Sequence, residues 1–137
     1  METMLEVGFH YLPSEQPETP PGGGADAETA NRTRRSGIEI AVSQVFGVGL
    51  DELRGLTRGR AKAALARQVA MYLAHVVCGM SLTQVGRTFD RDRTTVAHAC
   101  GLIEDRRDDP SFDRLMELLE NVTVAVTSPR FDPKRVW

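Results

Sequence analysis

From Ile38 to Leu119 the apolar residues recur every three or four positions, which is the spacing of one face of an α-helix. The pattern predicts a first helix over about 31–47, with Ile38, Ala41, Val42, Val45 and Phe46 as its inner stripe and Gly47 as its stop. A short helical turn follows at Leu50 to Leu53. A longer helix over about 61–78 then buries Leu65, Val69, Tyr72, Leu73 and Val76, and Gly79 is placed to end it. Ser81, with Gln84 three residues on, is a capping box that opens a helix with Leu82, Val85 and Phe89 on one face. After the polar break at Asp90 and Arg91, Asp92 is the N-cap of the next helix, whose inner positions are Val96, Ala99, Cys100 and Ile103. A last helix begins near Asp109-Pro110 and buries Phe112, Leu115, Met116, Leu118 and Leu119. Val122 to Thr127 either lengthens that helix or forms a strand. The fold class is therefore all-α.

Two short helices joined by a tight polar turn read as a helix-turn-helix. Its second helix turns Thr94, His98, Gly101 and Asp105 outward, with Arg93 and Ala97 beside them. A recognition helix needs short donors and acceptors and a long cation near its N-terminus, because that end enters the major groove and meets base edges. Arg93, Thr94, Thr95 and His98 meet that need. Gly86 leaves no side chain where the two helices approach. Arg87 lies off the apolar face of the first helix, within reach of phosphate or simply in solvent. Asp92 reads first as a cap and second as a base contact, since a carboxylate repels phosphate. Upstream, residues 54–62 make a basic, glycine-containing stretch with Arg58, Arg60 and Lys62. Such an arm suits a minor groove, and its plainer reading is a solvated turn.

The run Arg91-Asp92-Arg93-Thr94-Thr95-Val96-Ala97-His98-Ala99 resembles the signature Gly-Arg-Asp-His-Thr-Thr-Val-x-His-Ala of the DNA-binding domain of the bacterial replication initiator DnaA family. Ala64 to Ala74 is similar to the long helix that precedes that family's helix-turn-helix, and Ile38 to Leu53 to its opening helix. The resemblance covers about residues 34–121 and none of the family's ATPase module. It implies a helical bundle of the Trp-repressor type that binds double-stranded DNA at DnaA-box-like sites. It also implies that Arg58 or Arg60 enters a minor groove and that Arg67 and Gln68 contact the sugar-phosphate backbone. The chain departs from the family pattern twice. A single Asp90 stands where the family has two small residues, and Arg93 replaces the family's His.

Charge is distributed unevenly along the chain. Residues 1–31 carry six acidic and no basic side chains, residues 32–107 thirteen basic and seven acidic, and residues 108–137 four basic and six acidic, for a formal net charge of −2. The central excess of cations is the footprint expected for phosphate binding. Residues 1–31, rich in proline, glycine and acid, read as a flexible leader that competes with DNA for the basic face. The expected organisation is a leader at 1–31, a helical DNA-binding domain at 32–127 and a tail at 128–137. Phe131 and Trp137 in the tail, like Leu5, Val7 and Phe9 in the leader, are candidates for a protein contact.

The remaining chemistry is sparse. The chain has no P-loop signature for a nucleotide, no long apolar run for a membrane span and no basic start of a secretory signal, so the expected location is the cytoplasm, on the nucleoid. Cys78 and Cys100 are expected reduced and buried. No catalytic site, cofactor or metal is expected: His98 and Cys100, two apart on a helix, point in different directions. The alternative to a DNA-binding regulator of transcription or replication is a protein-interaction module on the same fold.

Overall fold

Six α-helices make up the residues that the computed structural model describes, 24–55 and 61–127: α1 (Gly24–Phe46), α2 (Leu50–Arg54), α3 (Ala61–Val76), α4 (Leu82–Phe89), α5 (Arg93–Arg106) and α6 (Pro110–Thr127). No strand occurs among them, and Val122 to Thr127 lengthens α6. The bundle is organised around α3, which touches each of the other five helices. Its composition explains this position. Ala63, Ala66, Ala70 and Ala74 recur along it and are buried, so neighbouring helices approach its backbone closely, while Val69, Met71, Tyr72 and Leu73 fill the spaces between them. Ile38 and Val42 of α1, Val85 and Phe89 of α4, Val96 and Ile103 of α5, and Met116 and Leu119 of α6 close the core.

The structure departs from the sequence reading at several places. The first helix starts at Gly24, well before residue 31. Residues 25–31 are rich in alanine, and Asp26 in the first turn complements the positive end of the helix. Asn31 is buried and accepts from Arg34 Nη1 at 2.7 Å. The part of the expected leader before residue 24, and the expected tail, lie outside the described residues. The inner stripe of α1 is also rotated. Glu39, not Val45, shares the core face with Ile38 and Val42, and Val45 is exposed. Val76 and Leu118, expected inside, are exposed as well. Cys100 is buried as expected, and burial, with Glu104 nearby, pushes its thiol up to about 12. Cys78 is only half-buried, at the end of α3, with its Sγ 3.9 Å from Thr127 Oγ1.

The helix-turn-helix is fixed by hydrogen bonds at both ends of α4. Ser81 Oγ accepts from the Gln84 N–H at 3.0 Å, and Gln84 Oε1 accepts from the Ser81 N–H at 2.9 Å, completing the capping box. At the other end of α4, Asp90 adopts the left-handed conformation, with φ 63°. The N–H groups of Asp90 and Arg91 then turn back to the carbonyl of Gly86, the latter at 2.8 Å. A Cβ on Gly86 would lie 2.5 Å from the carbonyl oxygen of Arg91, so only glycine lets the turn fold back this tightly. On the far side of the bundle, Arg107 donates to Asp113 at 2.6 Å, Glu120 at 2.6 Å and the Tyr72 hydroxyl at 3.0 Å, while that hydroxyl donates to Glu104 at 2.9 Å. This network ties α3, α5 and α6 together. Burial and the Glu104 carboxylate hold the Tyr72 phenol well above its ordinary pKa.

Two glycines on the helix-turn-helix therefore behave oppositely on substitution. Gly86→Ala is expected to lower stability by about 1–3 kcal/mol, the cost of forcing an extra methyl into a packed site. Gly101, with nothing within 4 Å of its Cβ position, is expected to gain about 0.5–1 kcal/mol as Ala, because alanine loses less backbone entropy in a helix. Denaturant unfolding followed by circular dichroism reads both.

Candidate nucleic-acid interface

The N-terminal half of α5 is the exposed surface of the helix-turn-helix. Val96, Ala99, Cys100 and Ile103 hold the helix to α3 and α4, which leaves Arg93, Thr94, Thr95, Ala97 and His98 in solvent. Gly101 and Asp105 continue the open side. A smooth, small-residue surface flanked by one long cation, two hydroxyls and an imidazole is thus presented at a helix N-terminus. The backbone N–H groups of the first turn add a positive partial charge there.

Asp92 occupies the N-cap position with extended backbone, φ −70° and ψ 149°, but its carboxylate makes no capping hydrogen bond. Asp92 therefore stands at the N-cap, as its place in the sequence predicts, without a side-chain bond. The cap is made by the backbone alone, with the Val96 N–H donating to the Asp92 carbonyl at 3.1 Å. The exposed carboxylate of Asp92 is left beside Arg93.

The other cations expected at the site are spread over three elements. Arg87 is exposed on α4, and Arg91, half-buried in the turn, donates through Nη1 to the Asp90 carbonyl at 3.2 Å. Lys62 is exposed in the first turn of α3, and Gln68 is half-buried further along it. Arg67 is committed in part to the fold: its Nη1 donates to the carbonyl of Glu52 at 2.8 Å, at the end of α2. Burial and the like charge of Arg91 hold its pKa below the ordinary guanidinium value. Arg58 and Arg60 lie outside the described residues. Arg67 and Arg91 line a cleft together with Arg35, Glu39, Arg54 and Asp90.

Sequence reasoning missed the centre of that cleft. Glu39 is buried, and both of its carboxylate oxygens are occupied. Oε2 accepts from Arg35 Nε at 2.8 Å, and Oε1 accepts from Arg54 Nε and Nη2, each at 2.7 Å. Arg35 Nη1 also donates to the Thr88 carbonyl at 2.6 Å, and its guanidinium lies 4.9 Å from the centre of the Phe89 ring. The signal was present as an Arg35–Glu39 pair at i, i+4 with the acid next to Ile38 on the inner stripe.

Fold and site together define a helix-turn-helix protein whose second helix presents a polar, cationic N-terminal face. Residues 36–103, about half of the chain, match the family described as bacterial dnaA protein helix-turn-helix, and the chain belongs to that family. It is 38% identical over 82 residues to chromosomal replication initiator protein DnaA 2 of Chlamydia pneumoniae, an alignment covering 59% of this chain and 18% of that protein. Against the DnaA protein of Gluconobacter oxydans the identity is 40% over 87 residues, covering 62% and 18%. Among solved structures, a DNA replication initiation factor superposes with a TM-score of 0.65 at 30% identity, covering 74% of this chain and 31% of that one. Replication initiator DnaA bound to AMPPCP and single-stranded DNA gives 0.62 at 30%, covering 72% and 30%. The chain thus spans less than a fifth of the length of these curated relatives and less than a third of these structures.

The contrast between the two caps is measurable. Ser81→Ala removes a formed side-chain cap and is expected to cost about 1 kcal/mol, whereas Asp92→Ala is expected to stay within about 0.5 kcal/mol of the parent. Thermal and denaturant melts of the two variants check this; equal losses would mean that Asp92 caps α5 after all.

Proposed function

We propose that this chain binds double-stranded DNA in a sequence-selective manner and acts as a small regulator of replication initiation or of transcription. The observation that carries the reading is the exposure of Arg93, Thr94, Thr95 and His98 side by side at the N-terminus of α5, on a helix anchored from behind by Val96, Ala99 and Ile103. In this reading α5 enters the major groove. Arg93 reads a base edge, most readily the O6 and N7 acceptors of guanine, and the threonines offer hydroxyls to phosphate or methyls to thymine. His98 lies one turn further along, on the same open side.

The remaining cations set register. Lys62, Arg67 and Gln68 on α3, Arg87 on α4 and Arg91 in the turn face phosphates, and Arg58 or Arg60 reaches a minor groove. Membership in the dnaA helix-turn-helix family supports a DnaA-box-like target. Arg93 in place of the family's His shifts the preference at the base it meets. No helix among the described residues is long and apolar enough to cross a membrane.

Fluorescence anisotropy against a DnaA-box duplex and a scrambled duplex, each at several salt concentrations, tests the reading. About five phosphate contacts give a log–log salt slope near −4 to −5. Arg93→Ala is expected to cost about 1–3 kcal/mol on the preferred duplex and to flatten the preference. Equal losses on both duplexes would demote Arg93 to a phosphate contact. No binding to either duplex at low salt would turn the function toward a protein partner.

A further inference from the structure

The cleft between α1, α2 and the helix-turn-helix holds two sets of charge-assisted contacts, joined through the backbone of α2, whose inner members Glu39, Arg35 and Arg54 have no part in the DNA-binding reading. The first is at Arg67 on α3, whose Nη1 is fixed by the Glu52 carbonyl at the end of α2. Arg54, the last residue of α2, grips Glu39 through two nitrogens, and Glu39 grips Arg35. Arg35 then reaches the Thr88 carbonyl and lies against Phe89, one residue before the left-handed Asp90 that turns the chain into α5. The two ends of these contacts are the two sides of the proposed interface: the α2–α3 side with Lys62 and Arg67, and the turn with Arg91 and the recognition helix.

We propose that Glu39 is a positioning residue for DNA binding, holding the α2–α3 cations and the recognition helix at one fixed separation through Arg54 and Arg35. The inference rests on the DNA-binding reading above. Several observations favour it over a purely structural pair. Glu39 is buried at 2% exposure, yet it is the carboxylate between two arginines that belong to different helices. A buried ion network is weak as a source of net stability, because desolvation offsets its attraction, but it is stringent about geometry. The Arg35 guanidinium, reaching from α1, also lies at the C-terminal end of α4, where a cation is favoured by the helix dipole and where it holds the Thr88 carbonyl two residues before the left-handed Asp90. An apolar side chain in the place of Glu39 would fill the space without specifying any of these directions.

The sign of one substitution separates positioning from plain electrostatics. Glu39→Gln keeps the shape and removes a negative charge from a basic domain, so long-range attraction alone would tighten DNA binding. Positioning predicts the opposite, a loss of about three- to thirtyfold on the preferred duplex. Arg54→Lys keeps the charge, falls on a half-exposed residue, and replaces a two-nitrogen grip by a single ammonium. It is expected to lose affinity in the same direction by about threefold.

Anisotropy on the box duplex is measured for the parent, both variants and each combined with Arg93→Ala, below the melting temperature of every protein. The cost of Arg93→Ala is expected to shrink in the Glu39→Gln background, since a helix held out of register has less to lose. A role in stability alone would leave that cost unchanged. Equal or tighter binding by folded Glu39→Gln, or an unchanged Arg93→Ala cost, overturns the inference while leaving DNA binding intact. Should Glu39→Gln fail to fold, Arg54→Lys with parental affinity overturns it. A parent that binds no duplex overturns both readings.

Discussion

The contact on which the helix-turn-helix depends is the approach of the Arg91 carbonyl to the α-carbon of Gly86. The turn has one residue, Asp90, in left-handed backbone, and the chain must reverse from α4 into α5 within three residues. It does so by folding the turn down onto the body of α4, where the Gly86 carbonyl collects the N–H groups of Asp90 and Arg91. That leaves 2.5 Å between an imagined Cβ and the carbonyl oxygen, a distance that no other residue accepts. The direction of α5, and so the position of every side chain on its outer face, follows from this closure. The Arg35 bond to the Thr88 carbonyl braces the same turn from the other side.

Much of this was legible in the sequence. The Ser81–Gln84 spacing announced the start of α4, Asp109-Pro110 the start of α6, and the inner positions Val96, Ala99, Cys100 and Ile103 the buried side of α5; each is a local rule with a strong period. What escaped was decided by tertiary contacts. Glu39 reads as a polar interruption of α1 until Arg54 arrives from another helix to partner it. The rotation of the α1 stripe, which leaves Val45 outside, follows from that burial. The start of α1 at Gly24 escaped because proline and glycine nearby weighed against helix, although alanine and Asp26 favour it. Asp92 satisfies the sequence rule for a cap and still makes no side-chain bond, because a rule about residue type does not fix a rotamer.

Counting cations overstated the interface. Residues 32–107 hold thirteen basic side chains, but Arg35 and Arg54 share the single carboxylate of Glu39, which offsets one of their two charges, and Arg107 serves Asp113, Glu120 and Tyr72 on the side of α5 away from its exposed N-terminal turn. These arginines shape the bundle and add little field toward a ligand. The cations left outward include Lys62, Arg87 and Arg93, with Arg67 and Arg91 partly engaged. The asymmetry is physically sensible: partly buried guanidiniums paired with acids rigidify helix junctions, and the exposed ones keep their donors for a partner.

The proposed function sets the N-terminal face of α5 against duplex DNA. Backbone amide shifts of isotope-labelled protein titrated with a DnaA-box duplex test it most directly. With α5 in the groove, the largest shifts fall on Arg93 to His98, a second group falls at Lys62 to Gln68 and Arg87 to Arg91, and α6 stays still. Shifts concentrated on α6 or around Leu118 and Val124, with the α5 amides unmoved, would contradict it.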